Sequence, residues 1–260
     1  MPSPVSYVLF DMDGLMIDSE QVYTDVTNEI LKPYGAEMTW AIKAGLMGKP
    51  ERAAAEHLLA SLPGLPLSTD EYIRQRTILQ DLRWPHVRLL PGVERLVRHL
   101  HTHGVPTAIA TGSQRRNFVL KTGHLQDVFG LFGRRVVCGD DAWIAREGGR
   151  GKPAPDVFLV AARALGRSVG EKGPDGEREG GEVGVEERAE RARGLVFEDA
   201  LPGVRAGKRA GMNVIWVPDP NLLGVEDTNA EKADEVLRSL AEFVPEEWGL
   251  PPYDSDGGAP

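Results

Sequence analysis

Four short stretches of this sequence carry side chains suited to phosphoryl transfer. Asp11 and Asp13 flank Met12 and precede Gly14, directly after the apolar run Tyr7-Val8-Leu9-Phe10. Thr111-Gly112-Ser113 follows the run Pro106–Ala110. Lys152 stands before Pro153-Ala154-Pro155, and Glu198-Asp199 closes the run Leu195-Val196-Phe197. Each stretch alone has a plainer explanation. Asp-x-Asp at a strand end is usually a turn, Thr and Ser often cap helices, and most lysines are solvated. Glu198-Asp199 also reads as a turn, given Pro202-Gly203 just beyond. Together the four make a chemical set. A carboxylate such as Asp11 can attack phosphorus and form a covalent intermediate. Asp13 could give a proton to the leaving oxygen and later take one from water. Hydroxyl and backbone N–H groups at Thr111, Gly112 and Ser113 could hold phosphoryl oxygens. Lys152 would offset negative charge on nucleophile and phosphate, and Asp11 with Asp199 suits a hard cation such as Mg²⁺, which takes oxygen ligands.

These groups serve one site only if the fold gathers them. The apolar runs that precede them are continuous rather than alternating, as are Arg135–Cys138 and Asn213–Val217. Continuous runs mark strands covered on both faces, as in a parallel sheet. Between them lie helical stripes: Val93, Leu96, Val97 and Leu100 ended by Gly104; Pro155–Leu165 ended by Gly166; Val204–Ala210 ended by Gly211. Strand–helix alternation at this spacing predicts an α/β fold with a doubly wound parallel sheet. In such sheets ligands bind beyond the C-terminal strand ends, where the polar stretches fall.

Two segments break the alternation. Residues 19–85 are helical in pattern, over Val22–Leu31, Arg52–Leu62 and Thr69–Leu82, and read as a small helical cap domain. Its linkers lie near Leu15–Asp18 and Trp84–Leu90, with Pro85 and Pro91 as breakers. Residues 1–18 and 86–260 then form the core. Residues 168–187 are dense in Gly, Glu, Lys and Arg, a composition that cannot offset its ordering entropy, and are expected to be a flexible surface loop. Glu186–Arg193 reads as a short solvated helix.

Composition narrows the field. The 260 residues are 41% hydrophobic, enough for a buried core, and the formal net charge of −9 argues against a nucleic-acid polymer as partner. Cys138 is the single cysteine, so no disulfide can form within the chain, and its apolar run makes it a buried thiol. No basic-then-apolar leader opens the sequence and no run is long enough to span a bilayer. A cytoplasmic protein without membrane contact is expected.

With these residues in place, the chain resembles the haloacid dehalogenase (HAD) superfamily, phosphatase branch. Asp11-Met12-Asp13-Gly14 is similar to its first motif, Thr111 to its second, Lys152 to its third and Glu198-Asp199 to its fourth. Further similar stretches are Met47-Gly48-Lys49, Gly139-Asp140-Asp141, Phe197–Ala200, Val217-Pro218-Asp219 and Trp248–Pro251. The resemblance implies a HAD-like Rossmannoid core and Mg²⁺-dependent hydrolysis through an aspartyl phosphate. It adds the Asp13 backbone carbonyl as a metal ligand and leaves Glu198 as a ligand or its neighbour. It implies a small phosphorylated metabolite as substrate, with pseudouridine 5′-phosphate favoured and other nucleotides, glycerol phosphate and small sugar phosphates open. Gly48 and Lys49 form the candidate substrate loop of the cap, and a monomer is expected. A sugar-phosphate mutase shares the core chemistry, but Tyr23 stands where the related mutase has a hinge histidine. A phospho-acceptor signalling module needs neither Asp13 nor a cap.

Overall fold

The computed structural model describes residues 4–46, 49, 51–142, 144, 150–170, 183–221 and 233–254. Among them, strands β1 (Tyr7–Phe10), β2 (Thr107–Ala110), β3 (Val136–Val137), β4 (Gly194–Glu198), β5 (Asn213–Trp216) and β6 (Glu235–Val236) form one sheet. The spatial order is β3-β2-β1-β4-β5-β6 and every pairing is parallel. The α/β class read from the apolar runs is therefore correct, and β6 is an addition. Helices flank the strands: α5 (Val93–Thr102), α6 (Arg115–Thr122), α7 (Gln126–Phe129), α8 (Asp156–Ala164), α9 (Val185–Arg191) and α10 (Leu201–Arg209).

The continuous apolar runs have the expected cause. Val8 and Phe10 face one core layer with Ile109, Leu195 and Phe197, packed on Leu96 and Leu100 of α5. Tyr7 and Leu9 face the opposite layer with Ala108 and Val196, packed on Phe158 and Ala162 of α8 and Val204 of α10. Phe10 stacks on Phe197 with ring centroids 5.2 Å apart. Such a pair adds about 1 kcal/mol beyond its buried area, and truncating Phe10 to Ala would cost about 3–5 kcal/mol.

Register places the chemistry. Phe10 lies opposite Ile109 on one side and Phe197 on the other. The residues just beyond, Asp11 and Glu198, thus emerge in one row, and Thr111 ends the next strand over. The chain stays paired to the last step: Asp11 N–H donates to Phe197 O at 3.0 Å and Thr111 N–H to Val137 O at 3.0 Å.

Between β1 and α5 the described residues form α1 (Ser19–Leu31), α2 (Trp40–Leu46), α3 (Glu51–Ala60) and α4 (Thr69–Arg83). They bury their own apolar cluster, including Val26, Ile30, Leu58 and Tyr72, apart from the two sheet layers. Asp18 caps α1 by accepting from Gln21 N–H, and Ser68 caps α4 by accepting from Glu71 N–H, which satisfies otherwise unpaired donors. The chain segments entering and leaving this unit pair with each other. Asp18 N–H donates to Arg88 O at 2.9 Å and Leu90 N–H to Met16 O at 3.0 Å.

Two sequence expectations need correction. The charged insert starts later than Ser168, because Val169 is fully buried in the second core layer and Gly170 O accepts from Arg163 Nη1 at 2.6 Å. The helix after the insert is not wholly solvated, since Arg191 is buried and donates from Nε to Val169 O at 2.6 Å. Residues 171–182, on which the flexible-loop expectation rests, lie outside the described residues. Cys138 is buried as expected, and burial pushes its thiol up to about 12.

Candidate active site

The ends of β1 and β4 and the start of α8 bring three of the four stretches to one point. Lys152 Nζ donates to Asp11 Oδ1 and, at 2.5 Å, to Glu198 Oε1. Glu198 turns its other oxygen back on its own chain: Oε2 accepts from Asp199 N–H at 3.1 Å and Ala200 N–H at 3.2 Å. Both Glu198 oxygens are thus engaged within the protein. Among the described residues nothing donates to the Asp199 carboxylate. Asp11, Glu198 and Asp199 are all buried and each offers an oxygen within 4.8 Å of the others.

Two glycines make that crowding possible. Gly14 has φ +78°, a left-handed conformation that glycine adopts without penalty, and a β-carbon there would collide with Asp199. A β-carbon on Gly203, in the first turn of α10, would collide with the Glu198 carboxylate.

The fourth stretch folds over Asp13. Ser113 Oγ donates to Asp13 Oδ2 at 2.6 Å, while Thr111 Oγ1 lies at 3.5 Å from the same atom. Thr111 Oγ1 instead accepts from Ser113 N–H at 3.0 Å. In this arrangement, therefore, the Thr111 hydroxyl shapes the loop and the Ser113 N–H is already spent. Neither is the helix cap that Thr or Ser would supply on the plainer reading. Asp140 does that by accepting from Arg115 N–H at 2.7 Å, and Asp141 accepts from Cys138 N–H at 2.9 Å.

Lys121, on the buried side of α6, completes the group and was not singled out from sequence. Its Nζ lies 2.5 Å from Asp13 Oδ1, 3.1 Å from Ser113 Oγ and 3.1 Å from Tyr23 Oη. It also sits over the Trp84 ring at 4.3 Å.

A haloacid dehalogenase-like hydrolase family model matches residues 5–211. The chain belongs to this family. Relatives of this hydrolase include (DL)-glycerol-3-phosphatase 1, mitochondrial, of Arabidopsis thaliana, 43% identical over 252 residues, 96% of this chain and 75% of that protein. The probable pseudouridine-5′-phosphatase of Drosophila melanogaster is 39% identical over 249 residues, 96% of each chain. The solved structure of a HAD family hydrolase from Deinococcus radiodurans R1, with bound phosphate and sodium, superposes with a TM-score of 0.70 at 25% identity, covering 96% of this chain and 99% of that one. Family and relatives make this hydrolase a phosphatase.

The electrostatics of the hydrolase site fit a divalent cation. Burial raises Asp11 to about 7, with Glu198 and Asp13 adding to the rise and Lys152 opposing it. Burial, then Glu198 and Asp11, raises Asp199 well above the usual carboxylate range. One ammonium does not neutralise three buried carboxylates. A hard dication with oxygen ligands would, and it would let both aspartates ionise. Lys152 keeps its proton: burial works against it, but Asp11 and Glu198 hold it above the ordinary lysine range. Burial also works against ionisation of Asp13, yet Lys121 and the Ser113 hydroxyl outweigh it and hold that carboxyl below its usual value. Lys121 thus favours the ionised form of Asp13 in this arrangement.

Among the cap candidates, Gly48 lies outside the described residues, and Lys49 is exposed with its N–H on Leu46 O at 3.1 Å. Trp84 is buried against the Tyr23 ring at the linker, whereas Trp40 and His86 are exposed. The helical unit instead presents Glu20, whose chain lies close to Gly14, paired with the buried Lys43 at 3.3 Å. Burial raises the Glu20 carboxyl against the pull of Lys43. No helix among the described residues is long and apolar enough to cross a membrane.

Proposed function

We propose that this hydrolase removes phosphate from a small phosphorylated metabolite in two steps through an aspartyl phosphate on Asp11. The observation that carries the reading is the meeting of Asp11, Lys152, Glu198 and Asp199 at neighbouring strand ends. Asp11 Oδ attacks phosphorus and the bond to the leaving oxygen breaks. Asp13 takes up a proton as the substrate's negative charge arrives beside it, gives that proton to the leaving oxygen, and later takes one from the attacking water. Lys152 orients Asp11 and balances its charge. The loop Thr111-Gly112-Ser113 positions the transferring oxygens.

Asp11 and Asp199, with the Asp13 backbone carbonyl, would hold Mg²⁺. When bound, Mg²⁺ offsets the repulsion between the anionic nucleophile and the phosphate. Glu198 serves as a strut for Lys152 and the chain after β4 rather than as a direct ligand, because both its oxygens are already bonded. Residues 19–85 act as a cap that closes over the strand ends and excludes water while the leaving group departs.

Pseudouridine 5′-phosphate is the proposed substrate. Glycerol 3-phosphate is the second reading, favoured by the Arabidopsis relative. A phosphate-release screen over both, with other nucleotides and sugar phosphates, run with Mg²⁺ and with EDTA, tests this. Release from one of them only with Mg²⁺ supports the reading. Isomerised sugar phosphate without free phosphate would replace hydrolysis by mutase chemistry.

A further inference from the structure

Lys121 is 0% exposed and comes from α6, 108 residues from Asp13 and 98 from Tyr23, both of which it touches. Its ammonium contacts three separate parts of the molecule. It holds Asp13 Oδ1 at 2.5 Å and Ser113 Oγ at 3.1 Å in the site. It meets Tyr23 Oη at 3.1 Å on α1, the first helix of the cap unit. It lies over the Trp84 ring at 4.3 Å, in the segment leading out of that unit. The Tyr23 and Trp84 rings themselves meet edge to face at 5.2 Å. Burying an ammonium carries a desolvation cost that a single carboxylate does not reliably repay. Cation–π contacts with two rings and two hydroxyl partners supply the remainder. The result is a cation whose position is defined at once by the first helix of the cap unit, by the segment leading out of it and by the catalytic loop.

We propose that Lys121 is a positioning residue that aims the Asp13 carboxyl at the leaving oxygen and makes that aim depend on the placement of Tyr23 and Trp84. This rests on the phosphatase reading above, in which Asp13 serves the leaving group. Movement of α1 or of the segment at Trp84 shifts a partner of the ammonium and so shifts Asp13. Lys121 itself acts through Asp13 and Ser113 and does not replace them. Asp11 and Lys152 have no contact with it, so attack on phosphorus does not depend on it directly.

The test separates proton delivery from attack. Phosphoenzyme formation is followed by rapid quench with Mg²⁺ for wild type, Lys121→Met, Lys121→Arg and Tyr23→Phe. Two esters are compared: p-nitrophenyl phosphate, whose phenolate leaves without a proton, and whichever of pseudouridine 5′-phosphate and glycerol 3-phosphate is cleaved faster. For Lys121→Met the rate with the alkyl ester should fall on the order of 10²-fold. The rate of phosphoenzyme formation from p-nitrophenyl phosphate should fall less than about 5-fold, because that step needs no proton from Asp13. Lys121→Arg should recover part of the alkyl-ester loss. Tyr23→Phe, which removes one hydroxyl and keeps the ring, should show the same selectivity at about 3–10-fold. It decides the matter if Lys121→Met fails to fold. Equal losses on the two esters, or no loss, overturn the role of Lys121 alone. Wild-type enzyme that forms phosphoenzyme from neither ester overturns the phosphatase reading and this proposal with it.

Discussion

Gly14 and Asp199 occupy adjoining space: a β-carbon on Gly14 would lie 2.9 Å from Asp199 Cγ and collide with its carboxylate oxygen. The turn after the first strand and the acid after the fourth are therefore fitted to each other. Gly14→Ala adds both that collision and the strain of φ +78°, about 1–2 kcal/mol for a residue with a β-carbon. If Asp199 holds Mg²⁺ as proposed, its displacement should cost about 10–100-fold in the Mg²⁺ concentration needed for half activity. A Mg²⁺ titration of turnover checks this, with the far-UV circular dichroism unchanged.

The buried acids predict an unusual stability profile. Asp11 rises from 3.8 to about 7 in the folded protein, and Asp199 also rises. A carboxyl with a raised folded pKa contributes stability that is present below its unfolded pKa and lost as pH climbs through the folded value. For Asp11 that window runs from about 4 to 7. Asp13, with its pKa lowered, works in the opposite sense and loses its contribution as pH falls. Asp199→Asn isolates the first effect. In EDTA at pH 7.5 the variant should be more stable than wild type, because it removes a carboxyl whose ionised form is disfavoured by burial and by Glu198 and Asp11. The gap should close toward pH 5. Mg²⁺ should raise the Tm of wild type and leave the variant unchanged. Thermal scans at the two pH values check all three statements.

Among the described residues, Lys152 is the only cation paired with Asp11 and Glu198. Removing one partner of a buried pair leaves uncompensated charge and costs about 3–5 kcal/mol. Lys152→Met should therefore melt well below wild type in EDTA, recover partly with Mg²⁺, and hydrolyse no phosphate ester at a measurable rate. Paired melting and phosphate-release assays check it.

Much of this arrangement was legible in the sequence, for a physical reason. Strands buried on both faces must be apolar throughout, so Tyr7–Phe10 stops abruptly at Asp11 and Leu195–Phe197 at Glu198. The site residues mark those stops. β6 was not legible, because Glu235 and Val236 sit at the sheet edge and Val236 is exposed. α6 was missed because Arg115-Arg116-Asn117 opens it without an apolar stripe. Lys121 was missed for a deeper reason. Nothing about a lysine announces burial, and its partners Asp13, Tyr23 and Trp84 come together only in three dimensions. The one local hint is that it ends the run Phe118-Val119-Leu120.

The two hydroxyls of the second motif should separate on mutation. Thr111 Oγ1 accepts from Ser113 N–H and Ser113 Oγ donates to Asp13. Thr111→Ser keeps the acceptor and should change kcat/KM by less than about 3-fold. Thr111→Val leaves a buried N–H unsatisfied, at about 1–3 kcal/mol, and should lower kcat/KM by about 10–100-fold. Steady-state kinetics on the best ester of the screen checks the difference.

The covalent step is tested by acid quench and intact-mass measurement of the enzyme mixed with excess substrate and Mg²⁺. Wild type should gain one phosphoryl group, mapped to the peptide containing Asp11, and lose it on further incubation. Asp11→Asn should gain none and release no phosphate. A phosphoryl group on another residue, or turnover by Asp11→Asn near the wild-type rate, would contradict the assignment of Asp11 as nucleophile.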